Sequence, residues 1–71
     1  MSANTLQSIL LNGSHTEIQT GSTVAALVDS IAGHQPVAVA LNQQVLPKRL
    51  WQETLLQPQD QVLLFELVAG G

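Results

Sequence analysis

The chain has 71 residues and a formal charge of −3, and its two basic residues, Lys48 and Arg49, are adjacent. That length supports one domain near the lower limit for an ordinary hydrophobic core, and the acidic balance argues against a surface built for nucleic acid or an anionic membrane. Cysteine is absent, which excludes disulfides, thiolate metal sites and any thiol nucleophile of the chain's own.

The start, Met1-Ser2-Ala3-Asn4-Thr5, has neither the positive region nor the long apolar stretch of a secretory signal or membrane span. The expectation is a soluble, cytoplasmic protein with residues 1–5 as a disordered extension. Leu6–Leu11 reads as a first strand, closed by Asn12-Gly13, a two-residue hairpin signal because both positions tolerate positive φ. Residues 15–19 then return antiparallel. Gly21 breaks that strand, and Ser22 or Thr23 can cap a helix whose Val24, Leu27, Val28 and Ile31 recur at helical spacing. Gly33 stands where a helix ends on a left-handed residue, and Pro36 prevents its resumption.

Val37–Leu41 favours strand, Asn42-Gln43 can turn the chain, and Gln44–Leu46 is a short return before Pro47. Lys48–Glu53 looks like a short helical turn with Trp51 pointing inward. Pro58-Gln59-Asp60-Gln61 is a further turn leading into an apolar run from Val62 to Val68. The order predicts an α+β fold, a mixed sheet of four to five strands with one main helix across one face. If the first and last strands lie side by side in the middle they run parallel, because the helix-bearing crossover separates them.

Period 2 divides the last strand into two faces, with Val62 and Leu64 toward the helix and Leu63, Phe65 and Leu67 away from it. With Leu10, Ala38 and Ala40 beside them, this second set makes an open apolar face, read either as a partner-docking surface or as scattered surface apolars. Charged residues are only 10% of the chain against 45% apolar, a thin solvating coat that favours the docking reading.

The strand pattern runs directly into Ala69-Gly70-Gly71. Two residues without Cβ can lie in a narrow channel and admit close backbone approach, so the motif serves a reactive tail as well as it serves a frayed end. A search for catalytic groups elsewhere finds little. His15 and His34 have no ligand or carboxylate at metal-binding spacing, and Ser22 and Thr23 are explained as helix caps. Asp60 is explained as a turn former, Glu66 as a solvated strand end and Trp51 as a lid on a small core. The parts of an enzyme are missing, which points to a carrier or an interaction module.

Three stretches carry a resemblance. They are Ala40-Leu41-Asn42-Gln43-Gln44-Val45-Leu46-Pro47 with Trp51 beyond it, the helix entry Gly21-Ser22-Thr23-Val24, and Asp60-Gln61-Val62-Leu63-Leu64-Phe65-Glu66-Leu67-Val68-Ala69-Gly70-Gly71. Together they resemble the ThiS family of thiamine-biosynthesis sulfur carriers. The resemblance implies a ubiquitin-like β-grasp domain over residues 6–68 and a functional tail over residues 69–71. In such a carrier the Gly71 carboxylate is adenylated by a ThiF-like enzyme using ATP and magnesium. A sulfur-relay protein converts it to a thiocarboxylate, and a ThiG-like thiazole synthase accepts the sulfur. Gly70 and Ala69 would give the tail access to those active sites, and Leu63, Phe65, Leu67 and Leu10 would dock the partners. No cofactor or metal is expected on the carrier itself, which would be a monomer forming transient complexes. Two alternatives share the diglycine tail. One is the small subunit of molybdopterin synthase, which tends to carry prolines where this chain has Glu66-Leu67-Val68. The other is a protein modifier joined to lysines of its targets.

Overall fold

The computed structural model describes residues 5–67. Five strands and one α-helix follow in the order β1 (Leu6–Leu11), β2 (Ser14–Gln19), α1 (Val24–Ala32), β3 (Val37–Leu41), β4 (Gln44–Leu46) and β5 (Gln61–Glu66). A 3-10 helix over Lys48–Glu53 lies between the last two strands. The sheet order is β2-β1-β5-β3-β4, so the last strand is central and runs parallel to the first, as the crossover argument required. This is the β-grasp arrangement.

Each boundary has a local cause. Asn12 and Gly13 both adopt positive φ, 49° and 84°, which gives the tight turn the twist that matches its flanking strands. Asn42 and Gln43 repeat the device at 51° and 74° between β3 and β4. Thr23 is the helix cap of the two candidates: its side-chain oxygen accepts from the Ala26 amide at 3.1 Å, while the Ser22 hydroxyl donates to the Gln19 carbonyl at 2.6 Å. Gly33 ends α1 at φ 60° and ψ −122°, with its amide donating to the Asp29 carbonyl.

One face of the sheet packs on α1. Ile9, Val39 and Val62 from the three inner strands meet Val24, Leu27 and Val28 of the helix, and Trp51 and Leu56 complete the core. The Trp51 indole N–H donates to the Leu46 carbonyl at 3.0 Å, so the buried ring satisfies its one polar group. Leu56 was not singled out by sequence periodicity because its segment is irregular. Backbone bonds from Val24 to Thr54 and from Leu56 to Ser22 hold that segment against the helix start. Ile31, expected on the packed helix face, is 50% exposed instead. It sits in the last turn of α1, beside a groove lined by Leu11, Asn12, Leu64 and Glu66.

The last strand is shorter than its apolar pattern. The Leu67 amide donates to the Pro36 carbonyl at 3.0 Å, but Pro36 has no N–H to return the bond, so the ladder ends at Glu66. Val68 lies outside the described residues. Among the described residues no helix is long and apolar enough to cross a membrane.

Candidate functional site

Two features expected to carry function are connected through β5: the open sheet face and the point where the chain leaves the sheet. Ala69, Gly70 and Gly71 lie outside the described residues, as do residues 1–4. The structure describes the tail's point of departure, Leu67, at the end of the central strand.

The register determines the open face. Ala40 stands opposite Leu63 and Ala38 opposite Phe65, all turned away from α1, and Leu10 stands beside Gln61 on the same side. Small alanines on β3 leave the larger side chains of β5 uncovered, with Leu63 39% and Phe65 50% exposed. Leu10 and Leu63 border one shallow depression of about 300 Å³ together with Gln43 and Gln61. Val45, at 79% exposure, belongs to the same face because it stands opposite Ala40 from the other side. It was missed in the sequence, although the two-residue Asn42-Gln43 turn fixes the pair Leu41 and Gln44, and hence Ala40 and Val45.

Leu67 does not continue this row. It is exposed and borders a cleft of about 690 Å³ at the end of the sheet, where α1, the start of β3 and the 3-10 helix meet. Val28, Val37 and Trp51 supply the apolar part of that cleft, and Asp29, His34, Lys48 and Arg49 supply the polar part. Both basic residues of the chain therefore line the same cleft as Leu67, where the tail departs, a juxtaposition that sequence spacing did not show.

The remaining candidates occupy structural positions. His15 is exposed on β2 and His34 is exposed beyond α1. Asp60 is a turn former, its Oδ2 accepting from the Gln57 amide at 2.8 Å and its Oδ1 from the Asn42 side-chain amide at 3.1 Å. Among the described residues no group of three or more His, Asp or Glu side chains could hold a metal ion.

Comparisons with known proteins agree with this geometry. The ThiS family model matches residues 5–71. The sulfur carrier protein ThiS of Escherichia coli (strain K12) is 38% identical over 64 residues, covering 89% of this chain and 97% of that protein. The crystal structure of the thiamine biosynthesis protein ThiS from Geobacter metallireducens superposes with a TM-score of 0.78 at 23% identity, covering 92% of this chain and all of that one. That likeness supports the fold, while the family match spans nearly the whole sequence. The chain belongs to the ThiS family.

Proposed function

We propose that this protein is a sulfur carrier of thiamine biosynthesis, a co-substrate of partner enzymes that act on its last residue. The observation that carries the reading is the family match, which runs through Gly71 and includes a relative named a sulfur carrier. The fold supports it, because the central strand leads directly to the segment that bears Gly71.

A free carboxylate is a poor acyl donor, and the chemistry follows from that. A ThiF-like enzyme joins the Gly71 carboxylate to the adenylyl group of ATP, using magnesium and releasing pyrophosphate. The terminal sulfur of a persulfide on a relay protein then displaces AMP to give an acyl disulfide, and a second thiol of the partner proteins cleaves its S–S bond, forming a new disulfide and releasing the thiocarboxylate. A ThiG-like thiazole synthase takes that sulfur in exchange for an oxygen atom from the acceptor or from water, which restores the carrier's carboxylate. The carrier contributes a transferable atom and a docking surface, whereas catalysis belongs to the partners. Gly70 and Ala69 admit the tail to narrow active sites because neither carries a bulky side chain. Leu10, Leu63 and Phe65 form the docking face, and Leu67, on the neighbouring cleft, engages the partner where the tail departs. The compartment is the cytoplasm, and the carrier works as a monomer.

The test is the intact mass of the protein purified from thiamine-starved cells together with its adenylating partner. A gain equal to the exchange of one oxygen for sulfur, lost on deletion of Gly71, is the expected result. Conjugates to other proteins without that gain would favour a protein modifier. A thiocarboxylate consumed only by a large molybdopterin-synthase subunit would favour that carrier class.

A further inference from the structure

The cleft beside Leu67 concentrates on one surface what the rest of the chain lacks. Lys48 and Arg49 are both exposed on its rim and neither is paired with a described residue. Asp29 is the one carboxylate on the same lining, while Glu17, Glu53, Asp60 and Glu66 lie elsewhere. In a protein of formal charge −3 this is the one place where positive charge outnumbers negative among the described residues. The floor is apolar and rigid: Trp51 is buried and fixed by its bond to the Leu46 carbonyl, and Val28 stands beside it from α1.

We propose that this cleft is a second docking site, for a segment of the adenylating partner that carries carboxylates next to an apolar side chain. The inference rests on the carrier reading and extends it. Charge complementarity selects the occupant. Arg49 offers a planar fork that matches a carboxylate in a bidentate pair, Lys48 offers a mobile point charge, and the floor of Trp51 and Val28 accepts an apolar neighbour. Position selects the partner. Leu67 borders the cleft, and the four residues from Val68 to Gly71 span at most about 13 Å at roughly 3.3 Å per residue, so an enzyme seated here has the acyl group within reach of its own active site. The open sheet face supplies apolar area, whereas this cleft supplies orientation and an electrostatic contribution to encounter.

The experiment measures binding of the full-length carrier to the ThiF-like enzyme by calorimetry, at about 50 and about 300 mM NaCl, alongside ATP–pyrophosphate exchange over a range of carrier concentrations. The double variant K48E/R49E is expected to weaken binding by about tenfold or more and to raise the carrier concentration that half-saturates exchange by a similar factor. The milder K48Q/R49Q is expected to lose less affinity and to show a shallower salt dependence than the wild type. Both substitutions are at exposed positions, and circular dichroism checks that the fold is retained. A K48E/R49E protein that binds within about twofold of wild type, or a wild-type affinity indifferent to salt, overturns the cleft assignment while leaving the carrier reading intact. A wild-type chain that neither binds nor supports exchange overturns both.

Discussion

The side-chain Oδ1 of Asn12 accepts the Leu64 amide at 2.9 Å across 52 positions of sequence. Asn12 stands at the first turn position after β1, and its own amide donates to the Val62 carbonyl, so its side chain takes over the parallel ladder where the backbone turns away. Asn42 does the same on the opposite edge of β5: its amide donates to the Gln61 carbonyl and its Oδ1 accepts the Gln61 amide at 2.9 Å. Two turn asparagines therefore hold the strand that leads to the tail. Each serves twice, because asparagine tolerates the left-handed backbone of the turn and also carries an acceptor.

Substituting Asn12 separates these two contributions. Asn12→Gly keeps the positive φ and removes the acceptor, and should cost about 1 kcal/mol. Asn12→Ala also places a Cβ residue in the left-handed region and should cost about 1 kcal/mol more. Urea denaturation of the two variants checks the ranking; equal losses would mean that only one of the two roles matters.

Gly33 gives a purely conformational prediction. Its φ of 60° with ψ of −122° is a region closed to residues with a Cβ, yet a Cβ built there would meet no atom within 4 Å. Gly33→Ala should therefore destabilise by about 1 to 3 kcal/mol through backbone strain alone. A thermal midpoint equal to that of the wild type would show that the helix end relaxes without cost.

Trp51 joins the core to the 3-10 helix. Trp51→Phe retains most of the apolar area but leaves the Leu46 carbonyl without its donor, for a loss of about 1 to 2 kcal/mol. Trp51→Ala should cost about 3 to 5 kcal/mol and deepen the cleft that carries Lys48 and Arg49. Chemical denaturation measures both, and the two losses should differ clearly.

The docking face is tested by Leu63→Asp and Phe65→Asp. Both side chains are partly exposed on the side away from α1, so stability should change by no more than about 1 kcal/mol. Affinity for the adenylating enzyme and the thiazole synthase should fall about tenfold or more, which corresponds to roughly 1.4 kcal/mol. Unchanged affinity for both enzymes would remove the face from the carrier's function.

Deletion of Gly71 should leave the urea midpoint unaltered while abolishing both pyrophosphate exchange and the sulfur mass gain. A deletion variant that still turned over would place the acyl group on another residue. Loss of stability would instead make the tail part of the fold.

By itself the sequence determined the elements and the class of fold. Period-2 and helical patterns located β1, β3, β5 and α1, and residue chemistry at Asn12-Gly13, Ser22 or Thr23, Gly33 and Pro36 set their ends, because turn and cap energetics act over a few residues. It also determined the resemblance through residues 60–71, which the family match supports. Tertiary structure decided what depends on distant partners: the clamp of Asn12 and Asn42 on β5, the end of the strand at Glu66 because the next residue, Leu67, meets Pro36, and the exposure of Ile31. It also brought Lys48 and Arg49 to the same cleft as Leu67, since that placement is set by how the 3-10 helix packs on α1, and no local pattern encodes that packing.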